Sequence, residues 1–510
     1  MVNVKKLTIQ SLLILSFMTL SSFILFGISS VITYLNTGAD RSKMFHTEIQ
    51  KEAQYIPKLS WAPLQNEGRK MDSQTLKELE KNYLDAWYAR HICYEKNTKK
   101  GLENYYTDSA EKNLFNFIDF NKANKIHIEA TTLNHHPEVN FFSEDGQLVV
   151  LTDRNVREYK RIHQDELLIH ETSEYADYKV ILLLENGFWR IRHLVKQPAS
   201  ASLQQVRAPI PYPDFHIRGI NYYPQATPWD TFGGEFNSEI ISNDLQIIKD
   251  ANLNTVRIFV QYEDFGKAQV PKGKIEKLKK LLDIAEEKQL KVIVTLFDFY
   301  GDYSVLDWTQ TQRHIETICT AFKGHDALLA WDLKNEPDLD FESRGKELVL
   351  SWLKESIQLI KKTDPKHLVT VGWAKIENAV LLKNELDLIS FHYYEDITHF
   401  ETAYQKLKLK IPNKPIALGE YGISSYRGFW YPFGNSERSQ AKFHKTMQTI
   451  LEKNNVQFLS WTLYDYKKIP KEVVGKLPWR KYLQKRYGFI DTHGKPKKAF
   501  SYISSSASTE

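Results

Sequence analysis

Eight short apolar runs alternate with amphipathic helical stretches through residues 215–503, and this alternation constrains the fold more than any other feature. The runs are IRGINYY, NTVRIFV, KVIVTLFDF, ALLAWDLKN, HLVTVGW, LDLISFHYY, PIALGE and VQFLSWTLY. Strands that alternate with helices form parallel sheets, and eight such units match a closed barrel better than an open doubly wound sheet. No glycine-rich fingerprint follows the first run, so a dinucleotide-binding fold loses its main support. The sequence predicts an α/β protein whose larger domain is a (β/α)8 barrel, a TIM barrel.

The amino terminus carries the one strong targeting signal. Lys5 and Lys6 precede a long apolar stretch that has no charge until Asp40, which is enough to cross a bilayer. A cleaved signal peptide would have a shorter apolar core and a small-residue cleavage site. We expect residues 1–40 to be a cytoplasmic tip and an uncleaved transmembrane signal anchor that contacts the membrane through residues 7–35. A cleaved signal peptide and a buried soluble helix are the alternatives.

The anchor prediction places the remainder of the chain, residues 41–510, on the extracytoplasmic side of the membrane in a single-pass arrangement. The 68 Lys and Arg residues nearly balance the 63 Asp and Glu residues, and no basic block is dense enough to indicate a nucleic-acid partner. Cys93 and Cys319 fall in separate predicted domains, which excludes a disulfide framework and a cysteine-based metal site.

Three pieces precede the barrel. Residues 41–72 are polar and irregular, and they are predicted to form a stalk. Residues 73–200 read as two helices, the first capped by Ser73, followed by long strands that include a hairpin with an ENG turn. This order of elements predicts a smaller α+β domain with a curved sheet. The arrangement resembles a nuclear-transport-factor-2-like cone. The domain is also a candidate for binding a protein partner. Residues 201–214, rich in Pro, Ala and Ser, are predicted to be a linker.

Polar side chains gather at the carboxyl ends of the predicted barrel strands, which is where such barrels carry their chemistry. They are Arg257, Asn335, Glu336, His392, Tyr394, Glu420 and Trp461. Two glutamates far apart in sequence would then face one cavity. Cleavage of a glycosidic acetal needs that arrangement, because one carboxyl must protonate the leaving oxygen while the other attacks or activates water.

These residues resemble a known group, the clan A glycoside hydrolases, most closely the cellulase-like family 5 with its β-mannanase relatives. The likeness is carried by NEP at 335–337, HYY at 392–394, LGEYG at 418–422, RI at 257–258, Trp461 and the closing YGFIDTHGKPKKAF. The resemblance implies a retaining mechanism with Glu336 as the acid/base and Glu420 as the nucleophile. One departure is a missing histidine near the end of strand three, where Phe297 and Phe299 stand instead.

The chemistry of the neighbours supports the same division of roles. Arg257 and Tyr394 near Glu420 would favour its charged form, so it would stay ionised and attack. Glu336 lies beside neutral Asn335, whose amide suits a sugar 2-hydroxyl. Trp461 would give a flat apolar floor for a pyranose ring. For a retaining enzyme the two carboxyl groups should lie about 5–5.5 Å apart.

Other polar and aromatic residues have less decided assignments. Asp332 and Asp338 are expected to be solvated or to cap loops, and Asp298 is ambiguous. The aromatic loop SSYRGFWYPFGNSE after strand seven would either wall a sugar subsite, through Tyr426 and its aromatic neighbours Trp430 and Tyr431, or pack against the amino-terminal domain.

The sequence as a whole therefore predicts a membrane-anchored retaining glycoside hydrolase. Its substrate would be a β-linked polysaccharide or oligosaccharide of the β-glucan or β-mannan class, cleaved by double displacement outside the membrane without a metal or organic cofactor. A non-catalytic glycan-binding scaffold of a polysaccharide synthesis or export system is one alternative. A transglycosylase, in which a sugar hydroxyl replaces water, is another.

Overall fold

The structure, a computed structural model, describes residues 55–200, 210–475 and 477–504, together with residues 16, 18–21 and 24. In this part of the chain, no helix combines the length and the apolar character needed to span a bilayer. The predicted anchor lies outside the described residues apart from the scattered positions near the amino terminus, and so does most of the predicted linker.

The amino-terminal domain combines two helices with a seven-stranded sheet. The helices are α1 (Ser73–Lys96) and α2 (Asp108–Ala123). The strands are β1 (Lys58–Leu59), β2 (Glu67–Gly68), β3 (Ile126–His135), β4 (Pro137–Phe142), β5 (Leu148–Gln164), β6 (Leu167–Glu185) and β7 (Phe188–Pro198). The long β5 pairs antiparallel with β3 and β4 on one edge and with β6 on the other, and β7 adds to β6. The α+β organisation and the hairpin between β6 and β7 match the sequence prediction; the likeness to a nuclear-transport-factor-2-like cone stays a prediction.

Two details of this domain differ from the sequence analysis. Residues 58–72, assigned there to the stalk, belong to the domain, because β1 pairs with β3, β2 pairs with β4, and Met71 is buried. Strands of two residues are too short to show any hydrophobic periodicity. The cap of α1 is Asp72 rather than Ser73, since the Asp72 side chain accepts hydrogen bonds from the backbone N–H groups of Gln74 and Thr75.

Eight parallel strands close into a barrel, which confirms the (β/α)8 prediction. The strands are β8 (Arg218–Asn221), β9 (Thr255–Gln261), β10 (Lys291–Asp298), β11 (Leu328–Asn335), β12 (Leu368–Trp373), β13 (Ile389–Tyr393), β14 (Ile416–Tyr421) and β15 (Gln457–Ser460). The α-helices around and after them are α3 (Ser238–Asp250), α4 (Lys272–Glu287), α5 (Trp308–Phe322), α6 (Phe341–Arg344), α7 (Lys346–Thr363), α8 (Ile397–Lys410), α9 (Glu437–Lys453), α10 (Lys471–Val474), α11 (Pro478–Gln484) and α12 (Phe500–Ser504).

The barrel strands are buried on both faces, which explains their continuous apolar runs. Every residue of β12, β13 and β14 is buried. Small and branched side chains near the amino ends of the strands, including Ile217, Ile293 and Leu388, form a separate apolar cluster that fills the lower end of the barrel. The polar side chains are therefore left to the carboxyl ends, where a cavity opens.

The two domains pack directly against each other. The Tyr159 ring of β5 lies 4.2 Å from the Trp308 ring at the start of α5, measured between centroids. Arg157 Nη2 lies 2.6 Å from Glu355 Oε2 on α7. Leu133 and Tyr159 belong to the same buried apolar cluster as the barrel core. The amino-terminal domain thus covers a side of the barrel formed by α5 and α7.

Candidate active site

A cavity of about 210 Å³ opens at the carboxyl ends of the barrel strands. Its walls come from strand ends and from the loops that follow them: Tyr223, Trp229, Phe259, Asp298, Phe299, Asn335, Glu336, Tyr394, Glu420, Trp461, Gln484 and Tyr487. Five of the seven predicted site residues line it. The other two, Arg257 and His392, are buried behind the carboxyl groups and contact them directly.

The two predicted catalytic glutamates face each other across this cavity. Glu336 follows the end of β11, and Glu420 lies in β14. His392 Nδ1 lies 3.0 Å from Glu336 Oε1 and 3.7 Å from Glu420 Oε2. One carboxylate oxygen of each glutamate and a ring nitrogen of His392 all lie within 4.8 Å of one another. This spacing is far shorter than the roughly 6.5–9.5 Å that leaves room for a water molecule between the carboxyl groups of an inverting pair.

Arg257 connects Glu420 to the opposite wall of the barrel. Its Nη1 donates to Glu420 Oε1 at 2.6 Å and to Asn221 Oδ1 at 3.0 Å. Its Nη2 donates to Asn335 Oδ1 at 2.9 Å. Asp332 Oδ2 accepts hydrogen bonds from both Nε and Nη2. Burial opposes the charge on Arg257, but Asp332 and Glu420 outweigh that cost and hold the pKa of the guanidinium above its ordinary value. Arg257 is therefore a buried cation that fixes one oxygen of Glu420.

Asp332 differs from its predicted role as a solvated or loop-capping residue. It is buried, and its Oδ2 accepts from Arg257 and from Thr295 Oγ1 at 2.7 Å. Its Oδ1 accepts from the Gly372 N–H at 3.0 Å. Because Asp332 lies three residues before the end of β11, its side chain points into the barrel instead of reaching solvent. Asp338, by contrast, caps a loop, since it accepts from the N–H groups of Ala374 and Lys375.

Tyr394 and Asn335 complete the polar contacts around the carboxyl groups. The Tyr394 hydroxyl donates to Glu420 Oε2 at 3.0 Å, so both oxygens of that carboxylate are held. Loss of hydration and the charge on Glu420 both raise the pKa of Tyr394. Since Asn335 Oδ1 accepts from Arg257, the amide orientation is set and the NH₂ group is the side that can donate to a ligand.

The backbone at Glu336 is unusual in a way that serves the site. Glu336 has φ +50°, in the left-handed region, and its N–H donates to Gly372 O at 2.7 Å.

A Cβ on Gly372 would lie 2.9 Å from His392 Nε2 and 3.0 Å from Arg257 Nη2. Only glycine at position 372 leaves room for both side chains, so the end of β12 is shaped by the carboxyl network next to it.

An aromatic wall faces the carboxyl groups. The Trp461 ring packs 6.0 Å from Trp229 and 6.2 Å from Phe259, between centroids. Tyr223 donates its hydroxyl to Asp298 Oδ2 at 3.0 Å, and both residues line the cavity. Asp298, whose role the sequence left open, thus contributes a carboxyl group to the cavity wall. The wall combines flat apolar faces with a few fixed polar groups, which suits the two faces of a sugar ring.

The same carboxyl groups could also be considered as metal ligands. Glu336, His392 and Glu420 have donor atoms close enough to hold an ion. The Arg257 guanidinium, however, lies 2.6 Å from Glu420 Oε1, and a fixed positive charge at that distance opposes a second cation. The donor set fits proton chemistry better than metal binding.

Several residues of the site were missed from the sequence. Asn221 ends β8 and accepts from Arg257, and the strand-end rule would have found it had it been applied to the first strand. Tyr223 and Trp229 lie in the loop after that strand. Gln484 and Tyr487 come from the segment beyond β15, which carries no strand-end signal.

Comparisons with known proteins find glycoside hydrolases among the proteins to which this chain is similar. Residues 216–467 match the family model described as Cellulase (glycosyl hydrolase family 5). The chain is similar to mannan endo-1,4-beta-mannosidase A of Emericella nidulans, with 23% identity over 234 residues, which cover 36% of this chain and 60% of that relative. It is also similar to mannan endo-1,4-beta-mannosidase 3 of Solanum lycopersicum, with 27% identity over 163 residues, covering 23% of this chain and 39% of the relative.

Among solved structures, the chain is similar to an exo-beta-1,4-mannosidase from Opitutaceae bacterium strain TAV5, with 18% identity and a TM-score of 0.47 over 57% of this chain and 58% of that one. The chain thus spans less than two thirds of each of these proteins. The segment matched by the family model contains the eight barrel strands, Glu336 and Glu420. Residues 216–467 thus match the model of glycoside hydrolase family 5, and the matches together indicate a glycoside hydrolase with a cellulase-like barrel.

Proposed function

We propose that this protein is a retaining glycoside hydrolase that cleaves β-linked glycans by double displacement. The observation that carries the proposal is the pair Glu336 and Glu420, whose carboxylate oxygens approach within 4.8 Å at the floor of one cavity. That separation agrees with the value of about 5–5.5 Å for retaining enzymes and is too short for an inverting pair.

In the first step Glu420 attacks the anomeric carbon. The bond between that carbon and the leaving oxygen breaks, and Glu336 gives its proton to the leaving oxygen, so the sugar remains as an ester of Glu420. In the second step water attacks the same carbon, loses a proton to Glu336, and releases Glu420 as a carboxylate. Arg257 and Tyr394, one on each oxygen, keep Glu420 oriented for attack.

The charge of the cavity points to a neutral substrate. Its described lining residues include three carboxyl side chains, those of Asp298, Glu336 and Glu420, and neither lysine nor arginine. A uronic acid in this cavity would meet like charges without a compensating cation. Because two relatives carry the name mannan endo-1,4-beta-mannosidase, we place β-mannan first and β-glucan second among the candidate substrates.

We further propose that the enzyme is held at the membrane by residues 7–35 and acts on the extracytoplasmic side. The support is the uncharged stretch between Lys6 and Asp40. The amino-terminal domain would then lie between the membrane and the barrel and present a surface to a protein partner. Protease digestion of intact cells tests this arrangement: residues beyond 41 should be degraded, and the activity should sediment with membranes. Activity released into the medium would contradict it.

The catalytic proposal is tested with the full-length chain in detergent, on a panel of soluble β-mannans and β-glucans. Glu420→Gln should abolish turnover, and a 2-fluoro glycoside should label Glu420 in the unaltered chain, as read by mass spectrometry of peptides. Glu336→Ala should retain the first step on aryl glycosides with good leaving groups and recover turnover with azide. Glu395→Gln, an exposed glutamate next to Tyr394, is the matched control and should keep full activity.

Each alternative predicts a different result. A transglycosylase would give products longer than the substrate when acceptor sugar is in excess, at the expense of reducing-end release. A non-catalytic scaffold would bind the glycan without turnover, and the 2-fluoro glycoside would leave Glu420 unlabelled. The proposal would be abandoned if the Glu420→Gln and Glu336→Gln variants both kept the activity of the unaltered chain.

A further inference from the structure

The loop after β14 exposes four large aromatic side chains in a stretch of five residues. Phe429 is 87% exposed and Phe433 is 96% exposed, while Trp430 and Tyr431 are 45% and 41% exposed. We call Phe429, Trp430, Tyr431 and Phe433 the aromatic lip. Such a concentration of exposed rings is costly in water and marks binding surfaces more often than chance positions. The Phe429 and Phe433 rings therefore do not pack against the amino-terminal domain, which was the second possibility for this loop.

The aromatic lip is held in one shape by its own backbone. Gly428 and Tyr431 exchange hydrogen bonds, with N–O distances of 3.3 and 2.9 Å. The Gly434 N–H donates to Tyr431 O at 3.1 Å, and a Cβ on Gly434 would lie 2.1 Å from Tyr426 O. The Phe429 and Trp430 rings pack edge to face at 5.2 Å between centroids. The rings are therefore presented by a folded turn, so a ligand would not have to order them.

The base of the loop is attached to the segment that walls the cavity. Ser425 N donates to Arg486 O at 2.8 Å, and Ser424 Oγ donates to Leu483 O at 2.7 Å. This segment supplies Gln484 and Tyr487 to the cavity lining. The Tyr487 ring lies 6.3 Å from that of Tyr394, which contacts Glu420.

The aromatic lip itself lies close to this wall. A Cβ on Gly428 would lie 2.6 Å from the Tyr426 hydroxyl oxygen, and the Tyr426 ring stacks on Tyr482, in the segment that walls the cavity, at 5.2 Å between centroids. The aromatic lip is thus joined to the cavity wall through Tyr426 and Tyr482, and the same segment carries Tyr487, whose ring lies next to Tyr394.

We infer that the aromatic lip is a second glycan-binding subsite, which stacks on the sugar rings of a β-linked chain whose scissile bond lies in the cavity. The inference rests on the proposed function and adds to it that the substrate is a neutral oligosaccharide or polysaccharide reaching beyond the cavity. Flat aromatic faces match the apolar C–H faces of pyranose rings. No charged residue stands between Arg427 and Glu437, so the lip itself is an uncharged surface.

The experiment measures binding separately from turnover. The full-length chain carrying Glu420→Gln is titrated by calorimetry with β-1,4-mannohexaose, cellohexaose and their disaccharides. Trp430→Ala and Phe429→Ala are each added to this background. Phe120→Ala and Phe188→Ala, which remove exposed rings of the amino-terminal domain, are the matched controls, since those side chains are 58% and 53% exposed.

Each lip variant should lower the affinity for the hexasaccharide that binds by about tenfold, which corresponds to about 1.4 kcal/mol. Affinity for the disaccharide should fall much less, and the two controls should not change either value. If hexasaccharide affinity is unchanged in both lip variants while the unaltered chain still cleaves the hexasaccharide, the lip assignment is wrong and the catalytic proposal stands. If the chain neither binds nor cleaves any of these sugars, the catalytic proposal fails and the lip assignment fails with it.

Discussion

The most direct test of the site geometry is the removal of one hydroxyl from Tyr394. Tyr394→Phe keeps the ring and deletes the hydrogen bond of 3.0 Å to Glu420 Oε2, so that Arg257 alone holds the carboxylate by a hydrogen bond. Hydrogen bonds to charged groups contribute about 1.5–3 kcal/mol, and each 1.36 kcal/mol is a factor of ten in rate. If most of that energy orients the nucleophile, kcat/KM should fall by roughly 10- to 100-fold.

The chain offers a control of the same chemistry at the neighbouring position. Tyr393 is buried, and its hydroxyl donates to Asp396 O at 2.9 Å, outside the cavity. Tyr393→Phe should therefore lower the free energy of unfolding by about 0.5–1.5 kcal/mol and leave kcat/KM unchanged. Initial rates on an aryl glycoside and urea denaturation give the two readouts. Equal losses of activity in both variants, or no loss in Tyr394→Phe, would refute the assignment of Tyr394 to the nucleophile.

Three further predictions concern stability, the buried cation and substrate affinity. Burial lowers the pKa of His444 to about 3, and no described group forms a hydrogen bond with its ring nitrogens. The histidine of the unfolded chain takes up a proton near pH 6.5, whereas the buried ring stays neutral. The free energy of unfolding that the neutral ring contributes above pH 6.5 is therefore lost as the pH falls from about 6.5 toward 3. Between pH 7 and pH 5 the unfolding free energy of the unaltered chain should drop about 2 kcal/mol more than that of His444→Phe, and equal drops in urea denaturation would contradict this. Asp332→Asn leaves Arg257 short of a buried counter-charge, so it should cost about 3–5 kcal/mol of unfolding free energy and most of the activity, whereas a near-normal melting curve would argue against the network. Trp461→Ala should raise KM at least tenfold with a smaller change in kcat, and a pure kcat effect would show that the ring is not a sugar floor.

The barrel and its paired acids could be read from the sequence because two rules act together. Continuous apolar runs such as that of β14 identify buried parallel strands, and the carboxyl ends of those strands meet at one edge. Glu336 and Glu420 therefore had to lie near each other once the strands were counted. The order of the strands alone predicts that the two glutamates are close together, without any knowledge of how individual side chains pack.

Two features could not be predicted from the sequence: the direction in which a side chain at a strand end points, and the path of the segments that follow the strands. Asp332 looks like Asp338 in sequence, since both are acids beside the NEP triplet, yet one points into the barrel and the other caps a loop. Asp332 lies within the strand and Asp338 lies a few residues beyond it, and this small difference in position decides whether the side chain enters the barrel or caps a loop. Tyr487 reaches the cavity only because the segment beyond β15 folds back over the barrel, and no local pattern encodes that return.

Arg257 has a consequence for how activity arises as the chain folds. Its partners come from the ends of strands as distant as Asn221 and Glu420, so the nucleophile is held only after the first, second, fourth and seventh strands have met. A ribosome-bound or half-assembled chain has no oriented carboxylate to attack a sugar. Catalytic turnover would thus report that the ring of strands is complete.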